Sequence, residues 1–303
     1  MEFTNLLIEK DEDGIATLRV NRPKAKNALN NEFIAELGEA ADLLARNPGV
    51  RAVIVTGGEE LFAADGDIKE MSRKYAPDML NTYGTGLSGF DTIERIPKPV
   101  IAAVSSYALG GGCELALACD MIVASETAVF GMPEITLDII PGAGGTQRLP
   151  RLIGPNRVKE LIFSGSFYDV EACGEMGLVN MVVAVEDLMK EAKRLAGRCM
   201  RNGAVALACA KACVNDGLDT DLYSGLSYER KCLSLLFSTD DQKEGMQAFI
   251  EEKSPDSRAA SIPLSLPAEG HVRRSKSEPG GFARAYKKLT FSPSRQAGRS
   301  KSR

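Results

Sequence analysis

Two neighbouring stretches near the middle of the chain decide the fold: Lys98-Pro-Val-Ile-Ala-Ala-Val104 and Ala108-Leu-Gly-Gly-Gly-Cys-Glu114. The first is a short apolar run with β-branched residues, bounded by Pro99 and a Ser-Ser pair, and it predicts a buried strand. Three glycines then precede Cys113–Cys119, which has good helix formers and no breaker. The order of strand, glycine turn and helix start predicts an α/β fold, with strands and helices in layers.

The glycine turn also has a chemical use. Backbone N–H groups at a helix start lack partners and lie at the positive end of the helix dipole, and glycines let a ligand approach closely. Such a turn suits a phosphate or the oxyanion of a polarised thioester carbonyl. The carboxylate of Glu114 would repel a phosphate but suits proton transfer beside a carbonyl. By themselves, three glycines are explained as well by a tight turn that allows close helix–strand packing.

Composition indicates a globular protein with one large domain or two smaller ones. The chain has 303 residues, of which 44% are apolar and 26% charged. We expect a cytoplasmic protein, because no apolar run approaches the ~18 residues of a membrane span and the first residues lack the basic start of a secretory signal. Seven scattered cysteines without a CxxC pair disfavour a disulfide framework or a zinc site.

The only histidine is His271, in a segment that we expect to lie outside the folded part. This position excludes Ser-His-Asp and Cys-His nucleophile systems and histidine-based metal sites from the folded part. Acid–base chemistry would therefore fall to carboxylates, lysines, tyrosines or cysteines.

Charge is divided unevenly along the chain. Residues 254–303 contain eleven Lys/Arg and three Asp/Glu, a net charge of +8, whereas residues 1–253 contain 26 and 38, a net charge of −12. We predict a disordered tail over residues 254–303, because it is rich in Ser, Pro, Arg and Lys and has no apolar period. Only this tail could bind nucleic acid, and a passive extension is the interpretation we favour.

The remaining elements follow from local patterns. Alternating runs over residues 3–10 and 14–21 predict a β-hairpin, and Asn30 or Asn31 can cap a helix that extends to about Asn47. Further predictions are strands at 51–56, 120–125 and near 178–183, a helix capped by Asp67, a helical stretch over 77–95, and mostly helix over 156–252 with breaks at Gly217 and Gly225.

Four long stretches resemble the crotonase superfamily, most closely the enoyl-CoA hydratases. They are Asn21-Arg-Pro-Lys-Ala-Lys-Asn-Ala-Leu-Asn30, Leu61-Phe-Ala-Ala-Asp-Gly-Asp-Ile-Lys-Glu-Met71, residues 101–116, and residues 130–149. The resemblance extends to about Lys253. It implies a spiral of ββα turns over residues 1–200 and a helical trimerisation region over residues 201–253.

The resemblance also implies a function and partners. It points to reversible addition of water to the 2,3 double bond of an enoyl-CoA thioester, in fatty-acid degradation by β-oxidation, by a homotrimer or a dimer of trimers. It implies no metal, no membrane partner and no separate cofactor, because coenzyme A enters as part of the substrate. Nucleic acid is an unlikely partner except through the basic tail.

Four residues carry the implied chemistry. By motif position, Glu114 and Glu134 match the two catalytic glutamates, and the backbone N–H groups of Gly66 and Gly111 match the oxyanion hole. Water held between two carboxyl groups can attack the β-carbon while the second carboxyl group protonates the α-carbon. Isomerases of the superfamily generally lack the first glutamate, so the pair favours hydration. An isomerase or another acyl-CoA enzyme is the alternative.

The resemblance assigns further residues to substrate binding. The residues that match the CoA-binding stretches are Ala25, Lys26, Ala28, Ala64, Asp67, Ile68 and Lys69. We expect Gly142 to donate a backbone N–H that orients the site. For Lys26 and Lys69 a simple solvated side chain is an equally good interpretation.

The chain departs from the family at Asp65. Where the family typically has Ala-Gly-Ala-Asp, this chain has Ala64-Asp65-Gly66-Asp67. Asp65 adds negative charge beside a developing oxyanion, and it replaces a glycine, the residue that adopts a positive φ angle most easily. We expect weakened but retained activity. Two hypotheses remain: a disabled homologue kept as an assembly partner, and an RNA-binding protein with a basic tail.

Overall fold

The structure is a computed structural model that describes residues 3–83 and 88–251. Its nine strands are β1 (Leu6–Lys10), β2 (Ile15–Val20), β3 (Ala52–Thr56), β4 (Val100–Val104), β5 (Tyr107–Leu109), β6 (Met121–Ser125), β7 (Val129–Gly131), β8 (Phe167–Asp169) and β9 (Met181–Val183). The described chain divides into two compact units, with the division between Leu233 and Ser234. The predicted boundary at residue 200 between a core and a trimerisation region stays a prediction.

The described residues form twelve α-helices. They are α1 (Asn31–Arg46), α2 (Ile68–Met71), α3 (Ala76–Tyr83), α4 (Gly89–Glu94), α5 (Gly111–Leu117), α6 (Gly145–Ile153), α7 (Pro155–Ser164), α8 (Val170–Met176), α9 (Leu188–Met200), α10 (Ala204–Leu218), α11 (Leu222–Leu236) and α12 (Asp240–Ile250). Within residues 3–83 and 88–251, no helix is both long enough and apolar enough to cross a membrane.

The larger sheet has six strands in the order β1-β2-β3-β4-β6-β9. The predicted hairpin is present as the antiparallel pair β1–β2, and the other neighbours are parallel. All five residues of β3 and of β4 are buried, because the sheet is covered on both faces. Side chains alternate between the faces, so Val53 and Val55 pack in one apolar cluster and Ile54 packs in the other, against α9.

A smaller sheet of β5, β7 and β8 positions the glycine turn. β5 and β7 are parallel, and Leu109 is paired with Gly131 at their carboxyl ends. The chain enters α5 directly after β5, and it enters a 3-10 helix, Pro133–Leu137, directly after β7. Glu114 and Glu134 therefore follow two neighbouring strand ends, which explains how glutamates 20 positions apart in the sequence come into one site.

Several local predictions are confirmed and some are wrong. Asn30 caps α1 by accepting from the N–H of Phe33 at 2.9 Å, and Asp67 caps α2. The predicted helix break at Gly217 is confirmed, because α10 ends one residue later at Leu218. The predicted break at Gly225 is wrong, because Gly225 lies inside α11. The short strands β5, β7 and β8 were not predicted. The predicted tail at 254–303 and residues 84–87 of the predicted helical stretch lie outside the described residues.

Close contact between the two glycine turns predicts a test of the fold. A Cβ atom at Gly112 would overlap the carbonyl oxygen of Ala63 and lie 2.9 Å from the Ala63 Cβ. We expect Gly112→Ala to lower the free energy of unfolding by about 1–3 kcal/mol, because overpacking forces the turns apart. The measurement is urea denaturation followed by circular dichroism.

Gly174 in α8 provides the matched control. It is exposed and nothing lies within 4 Å of a Cβ atom built there. Gly174→Ala should stabilise the protein by about 0.5–1 kcal/mol, because alanine is the better helix former. Equal stability of the two variants would contradict the packing argument.

Candidate active site

Backbone hydrogen bonds hold two loops together at the start of α5. Leu29 donates to the carbonyl of Asp65 at 3.1 Å, and its own carbonyl accepts from the N–H of Asp67 at 2.8 Å. Ala63 donates to the carbonyl of Tyr107 at 3.2 Å, and Leu109 donates to the carbonyl of Ala63 at 3.3 Å. These bonds fix the backbone around Gly66 beside the glycine turn that begins α5.

The N–H groups of Gly66 and Gly111 converge on one atom. Both donate to Oδ1 of Asp65, at 2.7 Å and 2.9 Å respectively. Donors at such distances from one oxygen have the geometry of an oxyanion hole. The structure thus brings the two predicted donors together, with a carboxylate of the chain itself between them.

The two concerns raised by Asp65 have different outcomes. The concern about its backbone is wrong, because Asp65 is not among the described non-glycine residues with a positive φ angle. The concern about its charge is supported, because the carboxylate lies at the point where the negative charge of an oxyanion would develop. Gly110 allows this position: its φ angle is +48°, and a Cβ atom there would coincide with the Asp65 carboxyl group.

Glu114 is held by a second pair of backbone donors. The residue is buried in α5, and its Oε1 accepts from the N–H groups of Ala143 and Gly145 at 2.8 Å and 2.7 Å. Burial raises the pKa of Glu114 above its ordinary value, while the two N–H groups act in the opposite direction. Hydrogen bonds to a carboxylate favour its ionised form, so Glu114 is equipped to accept a proton.

Glu134 has a contrasting environment. It is 4% exposed, and neither of its carboxyl oxygens has a hydrogen-bond donor within the described residues. Burial, followed by the nearby charges of Asp65 and Glu114, raises its pKa to about 8. Glu134 therefore carries a proton at neutral pH and is equipped to donate it. The two carboxyl groups thus differ in their hydrogen-bond donors, an arrangement that can supply an acid and a base to one site.

Arg148 is a positioning residue that the sequence reasoning missed. Its Nη1 donates to the carbonyl of Ala143 at 2.8 Å, and its Nη2 pairs with Asp91 at 2.9 Å and Glu94 at 2.6 Å. Arg148 thereby fastens the loop that supplies the donors of Glu114 to helix α4. An arginine after a glycine-rich loop carries no sequence signal for such a role, because its partners lie more than 50 positions away.

The role predicted for Gly142 belongs in this structure to its neighbours. The two N–H groups that orient Glu114 are those of Ala143 and Gly145, one and three positions further along. The sequence Pro141-Gly-Ala-Gly-Gly145 indicated the loop but not which of its N–H groups would face the carboxylate. A contact of Gly142 with substrate stays a prediction.

The two stretches assigned to CoA binding lie side by side. Ala64 donates its N–H to the carbonyl of Lys26 at 3.3 Å, and Lys26 has a φ angle of +52°. Lys26, Ile68 and Lys69 are exposed, whereas Ala25 and Ala28 are half-buried. Asp67 caps α2 and pairs with Arg22 at 3.4 Å, so its carboxylate stabilises the loop.

Asn27 was also missed. It is buried with a φ angle of +52°, which asparagine tolerates better than most residues. Its Nδ2 donates to the carbonyls of Leu61 and Phe62 at 3.1 Å and 3.2 Å. Asn27 therefore ties the loop at residues 21–30 to the segment that leads to Asp65 and Gly66.

The surroundings of Cys113 disfavour a cysteine nucleophile at this site. Cys113 is buried beside Glu114, and burial raises the pKa of its thiol, so the nucleophilic thiolate is not formed at neutral pH. Among the residues with described placement there is no group of three or more side chains suited to hold a metal ion. The ionisable groups that converge on the oxyanion position are thus carboxyl groups.

Comparisons with known proteins agree with this geometry. Residues 10–258 match the enoyl-CoA hydratase/isomerase family. A crotonyl-CoA hydratase from Syntrophomonas wolfei is 43% identical over 254 residues, which cover 84% of this chain and 97% of that protein. A short-chain-enoyl-CoA hydratase from Clostridium acetobutylicum is 42% identical, with the same coverage.

The fold agrees as well. The crystal structure of an enoyl-CoA hydratase from Bacillus anthracis superposes with a TM-score of 0.77 and 38% sequence identity, over 82% of this chain and 97% of that chain. The predicted α/β crotonase fold is therefore confirmed. The match extends over most of the chain, and the paired glutamates and the fold agree with it. The chain belongs to the enoyl-CoA hydratase/isomerase family.

Proposed function

We propose that the protein is an enoyl-CoA hydratase, which adds water reversibly across the 2,3 double bond of an enoyl-CoA thioester. The observation that carries the proposal is the asymmetry of two buried glutamates beside a pair of convergent backbone donors. Oε1 of Glu114 accepts two hydrogen bonds, whereas Glu134 has none from the described residues and holds a proton at neutral pH. The relatives at 42–43% identity are named as hydratases of this kind.

The proposed mechanism uses both carboxyl groups. With the thioester oxygen between the N–H groups of Gly66 and Gly111, electron withdrawal makes the β-carbon electrophilic. Glu114 accepts a proton from the attacking water as its oxygen bonds to the β-carbon. Glu134 gives its proton to the α-carbon as the enolate collapses. The reverse reaction, loss of water, exchanges the two roles.

Isomerisation is the alternative within the family. Moving a double bond needs one group that removes a proton and returns it at another carbon, so one carboxyl group suffices. The two backbone donors that hold Glu114 support hydration, because they orient a second carboxylate that an isomerase would not need. A place in β-oxidation, a cytoplasmic location and the lack of a separate cofactor stay predictions.

We further infer that several copies of the chain assemble. No residue of α10 or α11 is buried, although both carry large apolar side chains. Exposed residues of these helices are Val205, Val214, Leu218, Leu222, Tyr223 and Leu233. The family resemblance favours other copies of the same chain as the partners that cover these apolar side chains, in a homotrimer or a dimer of trimers. In such an assembly, α10 and α11 of one copy can pack against another copy.

Glutamine substitution tests the two glutamates. We expect Glu114→Gln and Glu134→Gln each to lower kcat/KM for crotonyl-CoA by about 10²–10⁴-fold, since each removes one proton-transfer group. The measurement is the loss of the ultraviolet absorbance of the conjugated enoyl thioester. The exposed Glu126 is the matched control, and Glu126→Gln should behave as the parent does.

Stability provides the folding check for these variants. Because the folded-state pKa of Glu134 is raised to about 8, its contribution to stability is lost as pH rises through that value. Glu134→Gln should therefore be at least as heat-stable as the parent above about pH 8. Unchanged turnover in either glutamine variant would contradict the proposed mechanism.

The raised pKa of Glu134 also predicts the pH dependence of hydration. kcat/KM should fall as pH rises through about 8, because Glu134 loses the proton that it must donate. The measurement is kcat/KM for crotonyl-CoA across the alkaline range, with circular dichroism at each pH to exclude unfolding. A rate that stays level through this range would show that Glu134 is not the acid.

Assembly predicts the mass in solution. Sedimentation equilibrium should give the mass of three or six chains. Leu218→Glu combined with Leu222→Glu should shift the mass toward one chain, because both side chains are exposed on the helices proposed to pair. The control is Leu80→Glu, an equally exposed leucine on α3. A single-chain mass for the parent protein would contradict the proposal.

A further inference from the structure

The oxyanion hole of this chain is filled by one of its own side chains. Oδ1 of Asp65 accepts from Gly66 at 2.7 Å and from Gly111 at 2.9 Å. A thioester oxygen must bond to these same two donors to become polarised. Two oxygens cannot share this position, so the Asp65 carboxylate and the thioester oxygen exclude one another.

The position of this carboxylate depends on features on both sides of it. The backbone of Asp65 is fixed by the hydrogen bond from Leu29 at 3.1 Å, and the carboxyl group lies in the space left by the missing side chain of Gly110. Asp65 itself is half-buried, so its side chain has a path to solvent. The Asp65 carboxylate is thus held by two hydrogen bonds, yet rotation of its own side chain is enough to remove it from the oxyanion hole.

Charge favours the internal occupant over the substrate. Hydrogen bonds from N–H groups to a carboxylate are roughly twice as strong as those to a neutral carbonyl. The ground-state thioester oxygen is neutral, whereas Asp65 is an anion. The substrate therefore has to displace a stronger acceptor, and the carboxylate that leaves still places negative charge near an oxygen that becomes negative in the transition state.

We propose that Asp65 is an internal competitor of the thioester oxygen, which lowers the affinity and turnover of acyl-CoA thioesters until its side chain rotates out of the oxyanion hole. This inference rests on the proposed function, since it takes the thioester oxygen as the ligand of the hole. It makes Asp65 a residue that sets the activity of the site without taking part in proton transfer.

Turnover gives the first test. Removing one oxyanion donor typically lowers kcat about 10²–10³-fold, so freeing an occupied pair in Asp65→Gly should raise kcat/KM for crotonyl-CoA about tenfold or more. Asp65→Asn keeps the size and removes the charge, so it should give an intermediate gain. Glu60→Gln removes the same charge from an exposed position of the same loop and should match the parent.

Binding gives a second test that needs no turnover. Butyryl-CoA carries a thioester oxygen but no double bond, whereas free CoA carries neither. Calorimetry should show about tenfold tighter binding of butyryl-CoA to Asp65→Gly, with unchanged binding of free CoA, because only the thioester reaches the two donors. A merely structural effect of the substitution would change both affinities together.

The outcomes separate this inference from the proposed function. Hydration that depends on Glu134 but does not increase in Asp65→Gly would overturn the competition and leave the hydratase intact. No hydration by any variant, together with tighter butyryl-CoA binding by Asp65→Gly, would overturn the hydratase and support the competition. Unchanged butyryl-CoA affinity in both Asp65→Gly and Asp65→Asn would overturn the inference whatever the turnover.

Discussion

Two backbone turns can aim their N–H groups at one point only if almost nothing separates them. In this protein the limit is set by Gly112, which lies against the carbonyl of Ala63 with no room for a methyl group. The parallel pair β5 and β7 positions the start of α5, and backbone hydrogen bonds from Leu29 and Leu109 hold the loop around Asp65 against it. The chemistry of the site follows, because convergent donors exist only while the turns stay in contact.

Around that point the fold distinguishes two otherwise similar carboxyl groups. Glu114 receives two backbone hydrogen bonds from a loop that Arg148 fastens to α4, whereas Glu134 is buried with no donor from the described chain. The difference is one of solvation: backbone dipoles replace water for the first and nothing replaces it for the second. This difference in surroundings is what the proposed mechanism uses when it assigns proton acceptance to Glu114 and proton donation to Glu134.

Features set by neighbours in the sequence were predictable, and features set by the tertiary structure were not. The cap at Asp67 and a cap at either Asn30 or Asn31 were predicted, because a cap needs only the next few residues, and the structure selects Asn30. Glu114, Glu134 and the two glycines followed from motif resemblance. Gly217 correctly predicted a helix end, whereas Gly225 misled, because a helix interior tolerates a glycine at a cost of about 1 kcal/mol when the rest of the helix is favourable. The roles of Arg148 and Asn27 and the position of the Asp65 carboxylate depend on contacts between distant segments, which no single stretch of sequence records.

The Asp65 contact has a consequence for the resting protein in a mixture of metabolites. An empty pair of oxyanion donors attracts any small carboxylate, and acetate or a fatty acid at high concentration would occupy it. The Asp65 carboxylate is part of the chain, so its effective concentration at the N–H groups of Gly66 and Gly111 is high and independent of dilution. It therefore competes with such ions for these donors. Only a ligand that gains further binding energy elsewhere, as a long nucleotide-bearing thioester does, can displace it. Under the competition proposed above, the Asp65 side chain would lower turnover and in return keep free carboxylates out of the oxyanion hole.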